Sequence, residues 1–324
     1  MTPSIGIPSA LSELRYTEAI DEESIHARND WLPHHTIRSG DDGRPEGDAM
    51  IRYADKPVVM ILAGHDPSGG AGLVADAEAV RGCGGWPVTV PTAMTVQSTR
   101  DVSSVEPCSG DFIRRAARAL FDDFRIAAIK VGLIPNLDVL EAVIDVARMS
   151  PGTPLIVDPV IRSGGGSELS TPGLLEPIRH RLLPLVDILT PNRRELAQLS
   201  FIGEADEVAQ VVEVMSLGCA AVLVTGTDPL NDESVEGNVV HTLHTPELNR
   251  QWQWPRLPAD YHGSGCTLAS ALATRLAAGE GLAAACAQAQ RFTWDTLDNG
   301  LALGQGQYLP DRVWRAPDFD ATLE

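Results

Sequence analysis

The sequence predicts a three-layer α/β/α protein whose central sheet is mostly parallel. Three observations lead there. Six short apolar, β-branched runs recur from Lys56 onward. Segments with apolar residues at three- and four-residue spacing separate most of them, which is the period of a helix with one buried face. The runs themselves are continuous in apolarity, as strands covered on both faces are, so helices are expected on both sides of the sheet.

The elements follow in order. The run "PVVMILAG" (57–64) is the first strand; a glycine loop, "GHDPSGGAG" (64–72), joins it to a helix at "LVADAEAVRG" (73–82). "PVTVPTAM" (87–94) is the second strand, and "DFIRRAARALFDDF" (111–124) the next helix. "AAIKVGLI" (127–134) and "LDVLEAVIDVARM" (137–149) make the third strand and its helix. "PLIVDPVI" (154–161) and "VDILTPN" (186–192) are the fourth and fifth strands. The helix "ADEVAQVVEVMSLG" (205–218) leads to the sixth, "AAVLVTG" (220–226). A polar section, 227–258, breaks the alternation and reads as one or two β-hairpins with a loop. Two helices follow, at "GSGCTLASALATRLAAG" (263–279) and "LAAACAQAQRFTWDTLDN" (282–299).

Residues 1–55 differ from the rest. They are polar, acidic and without clear periodicity, and read as a flexible or loosely docked N-terminal extension, leaving 56–324 as the folded unit. Met50, just before the first strand, is a candidate start of a shorter product.

Composition narrows the function. The formal charge is −19, which disfavours nucleic acid and anionic membranes as partners, because both need a basic surface. No apolar run approaches the ~20 residues that cross a bilayer, and no basic segment with an apolar core opens the chain, so a cytoplasmic protein is expected. The five cysteines are widely spaced without a CxxC, which argues against a zinc site or a disulfide framework. Lys56 and Lys130 are the only lysines, so a mechanism that needs a catalytic lysine has almost no candidates.

Ligands of parallel sheets bind beyond the carboxyl ends of the strands. Those ends carry Asp66 with the glycine loop, Gln97, Leu133, Asp158 with Val160, Asn192 with Glu195, and Thr225 with Thr227. Each alone is ordinary turn chemistry; six together predict one ligand cleft along a sheet edge. The glycine loop lacks the lysine of a Walker A motif and is not a GxGxxG, though its glycines permit close backbone approach. "HGSGCTL" is the stronger signal. Gly263, Ser264, Gly265 and Cys266 lead into a helix whose first N–H groups form an anion nest, unless the glycines serve packing alone. A helix start lowers a thiol pKa, so Cys266 is a candidate base or nucleophile. Asp158 and Glu195 suit magnesium, which takes one or two carboxylates plus phosphates and waters; a turn cap and a helix opening are their other readings. Asn192 suits a cap or a phosphate or water contact.

In their order, the glycine loop, the Gln after "TAMTV", then "KVG", "DPV", "TPNxxE" and "HGSGCTL" resemble the hydroxymethylpyrimidine/phosphomethylpyrimidine kinases. These belong to the thiamine-biosynthesis branch of the ribokinase-like superfamily. The resemblance covers about 58–299. It implies a ribokinase-like fold, ATP and Mg2+ as cofactors, a small-molecule substrate, no nucleic acid or membrane partner, and a homodimer. It places Gln97, Asp66, Gly69, Gly70, Leu133 and Val160 on the substrate side. It gives Asn192, Thr225 and Thr227 to the nucleotide, Asp158 and Glu195 to the metal, and Gly263, Ser264, Gly265 and Cys266 to catalysis, with Cys266 as the base. The chain departs from the pattern at His65, at Leu133 where Met is common, and at Thr225-Gly226-Thr227-Asp228, where the family commonly carries a lysine.

The reaction so implied is phosphorylation of 4-amino-5-hydroxymethyl-2-methylpyrimidine and then of its monophosphate. Gln97 with Cys266 favours the pyrimidine over pyridoxal, the substrate of the nearest rival in the superfamily. The absent lysine keeps a non-catalytic pyrimidine-binding protein as the rival from another class.

Overall fold

A nine-stranded sheet runs through the computed structural model, which describes residues 56–161, 169–171, 173–203, 206–226 and 237–315. The expected extension over residues 1–55, together with Thr227, lies outside the described residues.

Strand β1 (Val58–His65) pairs in parallel with β2 (Trp86–Gln97) on one side and with β4 (Ile126–Val131) on the other. Beyond β4 the parallel ladder continues through β5 (Leu155–Val157), β6 (Ile188–Leu189) and β7 (Ala221–Val224). An antiparallel strand, β3 (Val102–Pro107), closes one edge against β2. The antiparallel pair β8 (Asn238–His244) and β9 (Asn249–Pro255) closes the other, so the polar section does hold a hairpin.

The continuous apolar run of β1 is explained by the layers around it. Val59, Ile61 and Ala63 pack on one face with α1 (Gly72–Gly82), α7 (Ser264–Ala277) and α8 (Leu282–Asp298). Met60 and Leu62 pack on the other with α2 (Gly110–Asp123), α3 (Leu137–Met149) and α6 (Glu207–Ser216). Two covered faces leave no position between Val59 and Ala63 for a polar side chain.

Several elements went unforeseen. α4 (Leu175–Pro177) runs through a π turn, Ile178–Leu182, into a 3₁₀ turn, Leu183–Leu185. α5 (Arg193–Ser200) opens with a capping box between Asn192 and Glu195, the cap and the helix opening that are the alternative readings of these two residues. α7 follows Gly263 at φ +75° and, like α1 and α8, has no side-chain cap. Its first N–H groups therefore stay open to an external acceptor.

Candidate active site

The carboxyl ends of β1, β2, β4, β5, β6 and β7 and the start of α7 surround one cleft of about 880 Å³. Asp66, Gln97, Leu133, Asp158, Val160, Asn192, Glu195, Thr225 and the whole of Gly263 to Cys266 line it. The six strand ends thus converge as expected.

Two expected contacts do not reach the cleft: Gly69 and Gly70 are absent from its wall. Gly69 sits at φ +74° in the turn closed by its N–H on the Asp66 carbonyl, where a side chain would strain the backbone. Gly70 lies under the next loop, and a Cβ there would fall 2.2 Å from the His262 ring. Gly70 thus lets the His262 loop pack closely on the loop after β1.

Asp66 is also committed inside the protein. Its carboxylate accepts from the Ser68 N–H and the Ala71 N–H, each at 2.8 Å, from the Ser68 hydroxyl, and bonds His262 Nε2 at 2.9 Å. Burial alone would raise its pKa, but the bonds from His262, Ser68 and Ala71 hold it below the usual carboxylate range.

One end of the cleft suits a flat ring. Leu133, Ala93 and Leu169 form a small apolar cluster with Val160 and Val102 packed on it. Gln97 stands at its rim, with Nε2 donating to Thr95 Oγ1 at 2.7 Å, and Thr95 Oγ1 donating to the His65 carbonyl at 2.9 Å. His65 thus contributes a carbonyl to the support of Gln97. The opposite end is aromatic. Trp254 and Trp294 line it, their indole N–H groups bonded to Gln290 Oε1 and the Pro255 carbonyl at 2.9 Å. His241 lines the same end; burial, with the charge of Arg193, pushes it down to about 4, so its imidazole is neutral.

The floor is electrostatic. Lys130 is fully buried, with Nζ 2.8 and 2.9 Å from the two oxygens of buried Asp76, whose Oδ1 also accepts from Ser270 at 2.8 Å. Burial favours neutral lysine, but Asp76, with Cys266 and Asp158, raises the pKa above its usual value. Asp158 Oδ2 stands 4.0 Å from Nζ, is buried, and has no hydrogen-bond partner. Burial pushes Asp158 up to about 6, against the pull of Lys130.

The thiol of Cys266 corrects an expectation. Burial pushes it up to about 12; the charge of Lys130 and a bond from the Gly72 N–H oppose this, while Asp76 and Asp158 reinforce it. Desolvation and two carboxylates outweigh the helix end, and the resting group is a thiol.

Asp158 fits a cation: it lines the cleft, and its buried Oδ2 accepts no hydrogen bond. Glu195 is partly used, since Oε2 accepts the Asn192 N–H at 2.9 Å while Asn192 Oδ1 accepts the Glu195 N–H. Among the described residues no group of three or more His, Cys, Asp or Glu could hold a metal by itself. Magnesium needs no such group when substrate phosphates and waters complete its shell. Thr225 donates its N–H to the Pro191 carbonyl at 2.9 Å, tying the sixth strand end to the fifth.

A family model described as phosphomethylpyrimidine kinase matches residues 66–311. The hydroxymethylpyrimidine/phosphomethylpyrimidine kinase of Streptomyces coelicolor is 32% identical over 266 residues, covering 80% of this chain and 95% of that protein. A thiamine biosynthetic bifunctional enzyme of Arabidopsis thaliana is 33% identical over 265 residues, 78% of this chain; the match spans only about half, 49%, of that longer protein. An ADP complex of the pyridoxal kinase of Bacillus subtilis superposes with a TM-score of 0.70 at 25% identity, covering 79% of this chain and 97% of the other. The sheet with helices on both faces is the ribokinase-like α/β fold.

Proposed function

We propose that this chain, which belongs to the phosphomethylpyrimidine kinase family, transfers the γ-phosphoryl group of ATP to the hydroxymethyl oxygen of 4-amino-5-hydroxymethyl-2-methylpyrimidine, and then phosphorylates the monophosphate to the pyrophosphate. The observation that carries the reading is the meeting of an uncapped helix start, Gly263 to Cys266, with a ring-sized apolar end and an aromatic end in one cleft.

Phosphoryl transfer asks a protein mainly for positioning and charge stabilisation. Leu133 and Val160 take the faces of the pyrimidine. The Gln97 amide N–H is held by Thr95, so Oε1 is the atom offered to the ring's amino group. The Ser264, Gly265 and Cys266 N–H groups receive the transferring phosphoryl oxygens. Asn192 and Thr225 border the nucleotide on its phosphate side. Asp158, with Glu195 behind it, would hold Mg2+, which supplies charge neutralisation on the phosphate oxygens. Lys130 beneath is neutralised by Asp76 and lies 4.0 Å from Asp158, so it holds Asp158 in place and does not replace the absent family lysine at Thr225. As the candidate base, Cys266 enters turnover as a thiol and must release its own proton to solvent before it can take that of the hydroxyl; a loose transition state asks little of a base.

We read the working form as a cytoplasmic homodimer; the exposed apolar Met94 and Val96 on β2 support an interface there. No helix of the described residues is long and apolar enough to cross a membrane. The test is ADP release on addition of the pyrimidine alcohol with ATP and Mg2+. Absence of turnover with any pyrimidine or pyridoxal alcohol would leave the non-catalytic binding protein as the better reading.

A further inference from the structure

The segment after α8 returns to the site. His262 N–H donates to the Tyr308 carbonyl at 2.9 Å, and Tyr308 N–H to the Asp260 carbonyl at 2.8 Å. Thr99, at the end of β2, accepts from Gln307 N–H and Gly306 N–H. This strap delivers Arg312, one residue past the stretch matched by the family model, into the protein at 2% exposure.

There the guanidinium spans both glycine motifs. Nη2 donates to the Gly70 carbonyl at 2.6 Å, and Nη1 lies 3.5 Å from the Gly69 carbonyl. Nε donates to Thr267 Oγ1 at 2.8 Å, and that hydroxyl donates to the Gly263 carbonyl at 2.8 Å. The Gly70 carbonyl in turn lies where a Cβ on Gly263 would come within 2.1 Å of it. A single side chain thus ties the loop after β1 to the first turn of α7. Among the described residues its one ion-pair partner is Glu78, at 3.3 Å and 40% exposed. A buried cation with so little compensation is weak as a stabilising device. Its planar fork, which lysine cannot reproduce, suits it to fixing three acceptors at once.

We infer that Arg312 is a positioning residue for phosphoryl transfer: it sets the anion nest at Gly263 to Cys266 against the loop wall without touching substrate. The inference rests on the kinase reading above.

The test compares Arg312→Lys, Arg312→Gly and Glu78→Gln. Arg312→Lys is expected to lower kcat at least about tenfold, with the pyrimidine KM within about threefold. Millimolar guanidinium is expected to restore part of the kcat of Arg312→Gly, and Glu78→Gln to stay within about twofold of the parent. Wild-type kcat in Arg312→Lys would overturn the inference. So would a loss in Arg312→Gly that guanidinium does not restore, including failure of that variant to fold with guanidinium present. If the unaltered chain turns over no pyrimidine, the kinase reading fails instead, and ADP affinity by calorimetry, weakened in Arg312→Lys or not, then decides the role of Arg312.

Discussion

Asp66 and His262 lie 196 residues apart in the chain and 2.9 Å apart in the fold. Their bond joins the loop after β1 to the loop before α7. Asp66→Asn replaces one acceptor by a donor that faces donors, so a loss of about 1–3 kcal/mol is expected in urea unfolding at pH 7. The pH dependence has a definite sign. The folded carboxyl titrates below the unfolded one, so its contribution is present above the unfolded value of 3.8 and lost as pH falls through the folded value. The gap between parent and Asp66→Asn should therefore be constant above about pH 5 and shrink below pH 4. A gap that widens on acidification contradicts this assignment.

Lys130 and Asp76 form a buried pair at 0% exposure each. Lys130→Met strands the Asp76 carboxylate and should cost about 3–5 kcal/mol. Adding Asp76→Leu should recover most of that, because the stranded charge is gone. Equal stability of the single and double variants would mean the charges are not coupled as described.

The two glycines of the nest differ. Gly263→Ala meets the Gly70 carbonyl at 2.1 Å and φ +75°, so the variant should unfold early or not accumulate. At Gly265 a Cβ lies 3.6 Å from Asp158 Oδ1, an ordinary contact inside the cleft. Gly265→Ala should keep parental stability within about 0.5 kcal/mol. It should still weaken ADP–Mg2+ binding, as calorimetry would read. Unchanged binding would move the phosphates away from this turn.

A thiol pushed up to about 12 reacts slowly at neutral pH. Iodoacetamide labelling of Cys266, followed by mass spectrometry, should be far slower at pH 7.5 than that of a free thiol and should rise without a plateau to pH 10. A plateau near neutrality would show a pre-formed thiolate and restore the simpler base mechanism.

The sheet and most of its helices were legible because strand and helix periods are local properties of the sequence. α5 was too short for a period to stand out, and β3, "VSSVEP", is too polar to read as a strand. The convergence of six strand ends was legible because parallel topology forces it. Nothing local announces His262 as the neighbour of Asp66 and Gly70, so their part in joining two loops was not legible. For the same reason Lys130 drew no role until Asp76 and Asp158 were beside it, and Arg312 none until the strap had carried it to Gly70. Cys266 was read from its helix start alone, whereas burial decides its ionisation.

The central claim is that the cleft phosphorylates a pyrimidine alcohol. The direct measurement is kcat/KM for 4-amino-5-hydroxymethyl-2-methylpyrimidine, for its monophosphate and for pyridoxal, with the unaltered chain and with Gln97→Leu. Turnover of both pyrimidines above pyridoxal is expected, with Gln97→Leu lowering the pyrimidine values about 10- to 100-fold and sparing pyridoxal. Pyridoxal as the better substrate, or indifference to Gln97→Leu, would contradict it.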